Sequence, residues 1–496
     1  MSFGMTLLQN GGVFLKAKPN IHLLRVYDKY ILYDVDTNSI ISVPEKLYEF
    51  LQSIRNMSDD EIQAKIENVP MEIKQNIRYL EQQGLLHPVN KNMQVKHIET
   101  DVLQELFDGN LSMMTLQVTQ NCNLRCKYCV YSGSYVNRQH TMKRMSWETA
   151  KAAVDFYYKH TKYAQEVTIG FYGGEPLLEL PLIRKVVAYA EEIFVGKKLN
   201  FNMTTNATLL TEQTIDFLAV HNFHISISLD GPQKIQDGNR VFADKESGTF
   251  TTVISKIEQI KKSHPDFMAN VTFNAVMDLN KDISCANEFF LSYETVKDTF
   301  VMGNMINDAN RKEDIVVNRK YVADALYEEF KVLLYYCTDI FETYHPTLMD
   351  GKVKGIKQLY YDRFVAQNSK TEQDCPGGQC LPGAQRFFVN VDGKFYPCER
   401  VDERADTYCI GSLETGFDME RVAALLNVAK LTENECKNCW AFRLCSQCIA
   451  VAEEDGKITR EKRLSNCAAM RNQIEEDIRD YIVLCDHKCD FNKEVR

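Results

Sequence analysis

Three cysteines within eight residues, Cys122, Cys126 and Cys129, constrain this chain more than any other feature of its sequence. They directly follow a short apolar run at residues 114–118. Three thiols are one ligand fewer than a closed zinc site needs, and the next Cys or His along the chain is His140. Three thiolates suit an iron–sulfur cube in which one iron remains open to an outside ligand. The spacing alone leaves a reduced cysteine cluster or a zinc knuckle as the alternative.

The composition predicts a globular chain of two to four domains that binds neither nucleic acid nor membranes. With 496 residues, of which 45% are hydrophobic, the chain is long enough to bury several cores. At a net charge of −10 it lacks the basic excess that nucleic acids attract, and no apolar run reaches the roughly 18 residues of a membrane span. We therefore expect a cytoplasmic protein, in which sixteen cysteines indicate metal or redox chemistry rather than disulfides.

The first 95 residues predict a small winged-helix-like α+β module. Its β-rich runs begin near Val13, His22, Tyr30 and Ser39, and its helices are predicted over residues 45–54, 59–67 after the N-cap Ser58, and 72–83 before Gly84. The module resembles the precursor-recognition element of ribosomal-peptide maturases, in which a leader peptide adds a strand to the sheet edge. A structural cap or a DNA-binding winged helix is the alternative. Nine Lys/Arg against eleven Asp/Glu in residues 1–90 give little support to phosphate binding.

Residues 110–310 alternate between β-rich runs and helical segments. The runs lie at residues 114–119, 166–172, 199–205, 223–229, 270–277 and 298–302, and helices are predicted over residues 146–160, 182–194, 211–220 and 250–263. Six such units predict a parallel sheet with helices outside it, an α/β fold arranged as a partial (β/α)6 barrel. Chemistry in such a barrel lies at the carboxyl ends of the strands, so the residues that follow each run are the candidates.

Four of these runs end in polar or glycine-bearing segments. The first leads into the cysteine motif, the second into Gly173-Gly174-Glu175, the third into Asn206, and the fourth into residues 228–232. Together with the aromatic Tyr128 before the third cysteine, this joint pattern resembles the radical S-adenosylmethionine (SAM) core. The resemblance spans roughly residues 112–310.

The resemblance implies a set of residues around one cofactor pair. Cys122, Cys126 and Cys129 would hold a 4Fe-4S cluster whose open iron binds SAM. Gly173, Gly174 and Glu175 would receive the methionine amino group, Asn206, Ser228 and Asp230 would face the ribose and methionyl groups, and Arg240 would pair with the carboxylate. The family more often has a His-Asp pair where this chain has Gln236-Asp237.

A second field of cysteines occupies residues 371–485. The pattern Cys380-x12-Gly393-x4-Cys398, Cys436-x2-Cys439-x5-Cys445-x2-Cys448 and Cys467 resembles the SPASM extension of radical SAM enzymes, with one residue fewer between the last pair of the quartet. The resemblance implies two auxiliary 4Fe-4S clusters, one on Cys375, Cys380, Cys398 and Cys448 and one on Cys436, Cys439, Cys445 and Cys467. A zinc ribbon over residues 436–448 is the alternative. Cys285 and Cys337 are expected to be core thiols, and the sequence assigns no role to Cys485 and Cys489.

The whole chain resembles maturases that join a cysteine sulfur to a carbon of another residue, as in sactipeptide and ranthipeptide enzymes. The resemblance implies that a donor such as flavodoxin or ferredoxin supplies an electron that cleaves SAM. The resulting 5′-deoxyadenosyl radical then takes a hydrogen atom from a cysteine-rich precursor peptide. Glu399, directly after Cys398, is the candidate catalytic residue, as a proton acceptor or a carboxylate that orients the substrate.

Two other functions remain open. An anaerobic sulfatase maturase, which makes formylglycine, would not need the first 90 residues. A non-catalytic iron–sulfur protein that binds peptides or senses redox state would not need residues 173–175. The predicted domains are a leader-recognition module over residues 1–95, the radical SAM core over 110–310, a helical connector over 311–370 that contains a long helix at 317–344, and a SPASM domain over 371–485.

Overall fold

A computed structural model describes residues 15–135, 139–244, 247–306, 311–338, 348–362, 372–378 and 380–492. Two of the sequence expectations fall partly outside these ranges. They are the start of the first β-rich run, at residues 13 and 14, and the end of the connecting helix, at residues 339–344. The remainder of that first run, residues 15–18, forms no strand.

The N-terminal residues form three antiparallel strands followed by three helices. These are β1 (Ile21–Val26), β2 (Lys29–Asp34), β3 (Ser39–Val43), α1 (Glu45–Ser53), α2 (Asp59–Glu67) and α3 (Met71–Gln82). Ser58 starts α2 through a capping box, in which the Glu61 carboxylate accepts a hydrogen bond from the Ser58 N–H at 2.7 Å. Gly84 lies just after the end of α3, and its φ of 79° is in the left-handed region that glycine favours. The predicted order of strands and helices is confirmed.

The central region is a parallel sheet with helices between its strands. After β4 (Gln94–Val95) and α4 (Leu103–Gly109), the strands are β5 (Met113–Thr119), β6 (Glu166–Gly173), β7 (Lys198–Thr205), β8 (Phe223–Ser228), β9 (Val271–Met277) and β10 (Val301–Met305). The helices are α5 (Trp147–Lys159), α6 (Leu180–Ile193), α7 (Glu212–Val220), α8 (Gln233–Asn239), α9 (Phe250–Ser263) and α10 (Ile283–Ser292). The strands pair in chain order, and among the described residues β10 pairs only with β9. The predicted partial barrel is therefore confirmed, with one open edge at β10.

The C-terminal region continues this sheet, which the sequence analysis did not predict. Helices α11 (Arg319–Cys337) and α12 (Asp350–Asp362) lead to β11 (Gln373–Asp374), β12 (Phe387–Val389), β13 (Lys394–Tyr396), β14 (Gly411–Ser412) and β15 (Gly416–Phe417). Strand β12 pairs in parallel with β5, and β13 to β15 add antiparallel strands beyond it, so that the sheet has ten strands. Strand β11 pairs separately with β4. The cysteine-rich region is thus built directly onto the edge of the barrel.

The last elements pack the C-terminal region against the N-terminal sheet. They are α13 (Met419–Leu426), α14 (Glu433–Lys437), the hairpin β16 (Glu453–Glu454) and β17 (Lys457–Ile458), α15 (Arg460–Ser465) and α16 (Cys467–Asp486). Helix α16 lies along β1, where Glu475 pairs with His22 at 3.1 Å and Arg479 donates to the carbonyl oxygen of Arg25 at 2.7 Å. The His22 ring also stacks on Trp440 at 3.8 Å. None of the described helices has the length and apolar content needed to cross a membrane.

Two expectations about isolated cysteines were wrong. Cys337, expected to be a free core thiol, forms a disulfide with Cys489, which joins the end of α11 to the residues after α16. No local pattern predicts this pair, because its members lie 152 residues apart in the chain. Cys285 is exposed on α10 rather than buried in the core, because it lies on the outer face of that helix.

Candidate functional site

The carboxyl ends of β5 to β8 meet at one edge of the sheet, as parallel strands require. The segment between β5 and the cysteine loop lies against the segment that follows β6. The N–H of Gly174 donates to the carbonyl oxygen of Thr119 at 3.0 Å, and the N–H of Glu175 donates to that of Asn121 at 2.9 Å. The two segments that the sequence analysis placed at this edge are therefore in direct backbone contact.

The two glycines permit this close approach. A Cβ atom on Gly174 would lie 2.0 Å from the carbonyl oxygen of Asn121, and one on Gly173 would lie 2.0 Å from that of Thr119. Gly173 also has φ 139°, a conformation that residues with a side chain rarely adopt. Any other residue at either position would push the cysteine loop away from the strand ends.

The Glu175 carboxylate is buried and already engaged in hydrogen bonds. It accepts hydrogen bonds from the Thr205 hydroxyl at 2.7 Å, the Asn206 N–H at 2.7 Å and the Leu177 N–H at 3.1 Å. Burial raises the pKa of Glu175, although these three donors oppose the rise. Its oxygens hold the end of β7 beside the end of β6, and a ligand ammonium would share them with these donors. The expected contact between Glu175 and SAM stays a prediction.

Asn206 connects the end of β7 to the cysteine loop. Its side-chain amide donates to Asn123 Oδ1 at 2.9 Å and lies 3.9 Å from Cys122 Sγ. Its side-chain Oδ1 accepts from the Thr208 hydroxyl at 2.7 Å. Asn206 therefore touches the first of the three thiols, in line with its predicted place at the cofactor site.

Asp230 and Arg240 form a buried ion pair beside the second thiol. Arg240 donates through Nε and Nη2 to the two carboxylate oxygens of Asp230, each at 3.1 Å, and its Nη1 lies 4.0 Å from Cys126 Sγ. Tyr128 donates its hydroxyl hydrogen to Asp230. Burial disfavours the charged form of Arg240, yet Asp230 holds the pKa of the guanidinium well above its usual range. In the structure the Arg240 guanidinium is paired with Asp230. Its contact with the SAM carboxylate, which the family resemblance implies, stays a prediction.

The segment that carries Arg240 also holds the backbone of the cysteine loop. The N–H groups of Arg125 and Lys127 donate to the carbonyl oxygens of Val241 and Asn239 at 2.9 and 3.0 Å. Ser228, the last residue of β8, is buried at the same edge of the sheet. The loop is thus fixed on one side by residues 173–175 and on the other by residues 239–243.

Two of the three thiols, those of Cys122 and Cys126, lie where burial disfavours a free thiolate. Burial, followed by the charge of Glu175, raises the pKa of the Cys122 thiol to about 12, and burial raises that of Cys126 to about 11. Such thiols ionise only when a cation compensates the charge, as iron does in a cluster. Leu124 also donates its N–H to Cys122 Sγ at 3.4 Å. The loop therefore fits a 4Fe-4S cluster that leaves one iron open.

The cysteines of the C-terminal region fall into two groups in space. Cys380 and Cys398 lie near Cys448: burial raises the pKa of both thiols, and Cys448 adds to the rise. In the same way, burial raises the pKa of Cys445 and Cys467, and the nearby thiols of Cys436 and Cys439 add to it. The interleaved pairing that the family resemblance implies stays a prediction.

Cys375 is the member of the first predicted set whose surroundings differ. Burial, followed by the charge of Asp374, raises the pKa of its thiol to about 11. The turn after it packs on the second set, where the Gly378 N–H donates to the carbonyl oxygen of Cys445 at 3.1 Å. Within the described ranges, no three His, Cys, Asp or Glu side chains converge as the ligands of a single ion do. Which thiols share a cluster therefore stays a prediction.

Glu399, directly after Cys398, is mostly buried in the C-terminal region. Its carboxylate accepts a hydrogen bond from Arg386 at 3.2 Å, and its side chain retains 14% of its exposure. After burial, the charge of Glu399 is the largest influence that raises the pKa of the neighbouring Cys398 thiol, to about 11. The geometry places an acid beside a predicted cluster ligand, and its catalytic role stays a prediction.

One buried polar contact between the barrel and the C-terminal region was not predicted from the sequence. The side-chain Nε2 of Gln117 in β5 donates to the Tyr131 hydroxyl at 3.1 Å and to Glu403 at 3.0 Å, and its side-chain Oε1 accepts from the Val391 N–H at 3.2 Å. The sequence signal for this contact was a glutamine in the middle of a strand that is predicted to be buried. It orients the residues after Cys398 relative to the cysteine loop.

Parts of the chain are similar in sequence or in fold to known proteins. Residues 116–285 match the profile of the Radical SAM superfamily. The cysteine-type anaerobic sulfatase-maturating enzyme of Clostridium novyi is 25% identical over 353 residues, which cover 68% of this chain and 87% of that enzyme. The solved structure of native anSMEcpe with bound AdoMet has 21% identity and a TM-score of 0.55, and the match covers 74% of this chain and 99% of that one. The same protein has been solved with AdoMet and the Cp18Cys peptide, again at a TM-score of 0.55 and 21% identity, covering 75% of this chain and 98% of that one.

Proposed function

We propose that this chain, a radical SAM enzyme with maturase homologues, forms thioether cross-links in a ribosomally made, cysteine-rich precursor peptide. In this proposal the leader of the peptide binds to the N-terminal sheet and its core reaches the strand ends of the barrel. The observation that carries the proposal is the asymmetry of the N-terminal sheet, whose two edges have different surroundings.

One edge of this sheet is closed and the other is open. Strand β1 is covered by α16 through the pairs Glu475 with His22 and Arg479 with Arg25. Strand β3 pairs with β2 on one side, and no strand among the described residues pairs with its other side. Its Ser42 is exposed, while Ile41 packs on the core of the helices. An extended peptide that adds a strand at β3 would gain backbone hydrogen bonds and apolar contact together.

The strand-end site would hold the reactive group. Cys122, Cys126 and Cys129 would ligate a 4Fe-4S cluster, and the edge formed by residues 173–175, Asn206 and Ser228 would bind SAM against it. When both are bound, they supply a carbon radical that removes a hydrogen atom from the substrate. The protein's own contribution is position and exclusion of water: the tight backbone contact at Gly174 fixes the loop, and the Asp230–Arg240 pair neutralises charge beside Cys126.

Cross-link formation also needs an acceptor for one electron and one proton. Joining sulfur to carbon removes two hydrogen atoms from the peptide, of which the radical takes one. The second leaves as a proton from the thiol, with one electron. In this proposal Glu399 receives the proton, and the C-terminal cysteines hold two auxiliary clusters that receive the electron and return it to a donor such as flavodoxin or ferredoxin.

The test uses a cysteine-rich precursor peptide encoded beside this chain, incubated with reduced enzyme and SAM. We expect the peptide to lose two hydrogen atoms per cross-link while 5′-deoxyadenosine accumulates. A leader whose alternate backbone amides are N-methylated in the register that faces β3 should bind weakly, whereas methylation of the other register should have little effect. An unmodified peptide together with SAM cleavage would contradict the cross-linking proposal, and absence of 5′-deoxyadenosine would favour a non-catalytic iron–sulfur protein.

A second candidate function is oxidation of a cysteine to formylglycine. The observation in its favour is the match to the Clostridium novyi enzyme over 87% of that protein. That match leaves about a third of this chain uncovered, since it spans 68% of it. A short sulfatase-type peptide without a leader separates the two functions: loss of its sulfur and gain of an aldehyde would support the second, and an unchanged peptide would support the first.

A further inference from the structure

Arg463, on the short helix α15, is one of the largest fully buried side chains of the protein. Only 2% of the residue is exposed. No salt bridge to Arg463 occurs in the part of the chain that the structure describes, and its Nη1 is buried without a hydrogen-bond partner. A guanidinium withdrawn from water without a counter-charge is strongly destabilising, because its charge is compensated neither by solvent nor by a partner. A negatively charged group beside this side chain would therefore compensate the charge of the guanidinium.

The surroundings of Arg463 identify where that charge would be. Its Nε donates to the Thr432 hydroxyl at 3.1 Å, and this hydroxyl lies 3.2 Å from Cys436 Sγ. Cys467 Sγ lies 3.8 Å from the carbonyl oxygen of Arg463. Arg463 is thus linked to two of the four cysteines predicted to hold the second auxiliary cluster: its side chain reaches Cys436 through Thr432, and its backbone carbonyl contacts Cys467.

We propose that Arg463 is the internal counter-ion of the second auxiliary cluster, donating through Nη1 to its sulfur atoms and, through Thr432, supporting the ligand Cys436. The inference rests on the proposed function, because it presumes that Cys436, Cys439, Cys445 and Cys467 hold a 4Fe-4S cluster. Arg463 is a positioning residue in this role, since it acts on the cluster and not on the substrate.

The chemistry of the cluster explains why this site suits a cation. Four thiolates around a 4Fe-4S cube leave a net negative charge, which increases by one unit when the cluster accepts an electron. A fixed positive charge and hydrogen bonds to sulfur stabilise the reduced state and raise the reduction potential. A cluster that accepts the electron released by the substrate needs such stabilisation.

The experiment measures the reduction potential of each auxiliary cluster by spectroscopically monitored titration. The parent protein carries Ala at Cys122, Cys126 and Cys129, so that the signal of the SAM-binding cluster is absent. In this parent we expect Arg463→Gln to lower one of the two potentials, Arg463→Lys to lower the same potential less, and Thr432→Val to give a smaller decrease. Arg460→Gln is the matched control, because Arg460 lies on the same helix, is exposed and pairs with Glu435. It should leave both potentials unchanged.

Two further measurements separate the possible failures. Iron content is measured for each variant and for a Cys436→Ala, Cys445→Ala protein. If the double cysteine variant retains all the iron of the parent, the second cluster itself is wrong. If it loses about four irons but the Arg463 variants keep both potentials of the parent, the counter-ion role is wrong. Loss of about four irons in Arg463→Gln, with retention in Arg463→Lys, would support it, because the charge alone then maintains the cluster.

Discussion

Asp230 and Arg240 are joined by two hydrogen bonds of 3.1 Å, and the same guanidinium lies 4.0 Å from Cys126 Sγ. This relationship gives the cysteine loop a neutral, rigid neighbour. Both side chains are almost fully buried: that of Arg240 retains 8% of its exposure and that of Asp230 none. Breaking a buried pair by removing one charge is much more costly than replacing both partners, because the remaining charge is left uncompensated.

Asp230→Asn should therefore destabilise the protein by ~3 kcal/mol and weaken binding of the loop cluster. We expect a lower thermal midpoint and a loss of iron from anaerobically purified protein. The double variant Asp230→Asn, Arg240→Met removes both charges and should recover part of the midpoint. If the double variant melts below the single variant, the pair does not act as a unit.

Gly174→Ala should displace the cysteine loop, because its Cβ would lie 2.0 Å from the carbonyl oxygen of Asn121. We expect the purified variant to lack about four irons, the content of one cube, and to cleave SAM at a small fraction of the native rate. Gly351→Ala is the control, since nothing lies within 4 Å of a Cβ at that helical position. A Gly174→Ala protein with full iron content would show that the backbone contact is dispensable.

Replacing Cys122, Cys126 and Cys129 together by Ala should abolish SAM cleavage. If the C-terminal cysteines hold two cubes, about eight irons should remain, because the two auxiliary sites do not depend on this loop. Iron analysis and 5′-deoxyadenosine release measure the two outcomes separately. Loss of all iron would mean that the clusters have been divided wrongly among the cysteines.

The sequence predicted the barrel well because its signals are local. Each strand and helix of the central region has its own periodicity, and parallel pairing in chain order places their carboxyl ends together. The C-terminal strands were not predicted because β12 and β13 are only three residues long, and because β12 pairs with β5, which is far away in the chain. Asp392-Gly393, with Gly393 at φ 79°, was the one local turn signal for that hairpin.

The candidate site was predictable in its residue types but not in its contacts. The positions of Gly173, Gly174 and Asn206 beside the cysteine loop follow from strand ends alone. The pairing of Arg240 with Asp230 does not, because it depends on how residues 239–243 return along the loop. Nor does the burial of Arg463, which the sequence alone presents as an ordinary residue of a charged helix.

The N-terminal module should be less stable at alkaline pH because of Glu81 on α3. Burial raises its pKa to about 7, and its Oε2 is buried without a hydrogen-bond partner in the part of the chain described. A raised pKa in the folded state favours the protonated acid, so its contribution to stability is complete below about pH 4.5 and lost as the pH rises through about 7. Glu81→Gln should remove this dependence.

The measurement is hydrogen exchange of α3 in the intact protein, compared between native and Glu81→Gln at each pH. Protection should be equal in the two proteins at about pH 4, below the unfolded pKa, and greater in the variant at about pH 8. Glu72→Gln, on the same helix but exposed and paired with Lys46, is the control and should not reproduce the difference. Equal protection of α3 at both pH values would show that Glu81 is ionised throughout.

Glu399→Gln tests the predicted proton acceptor, because glutamine keeps the size of the side chain and its contact with Arg386 but cannot take up a proton. If Glu399 acts on the substrate thiol, cross-linking should slow by 10²-fold or more, the order of a general base, while SAM cleavage continues. Glu414→Gln, an exposed acid on the following hairpin, should leave both rates unchanged. A native cross-linking rate in Glu399→Gln would remove this residue from the mechanism. Equal slowing of SAM cleavage would instead assign Glu399 to the packing between Arg386 and the residues around Cys398.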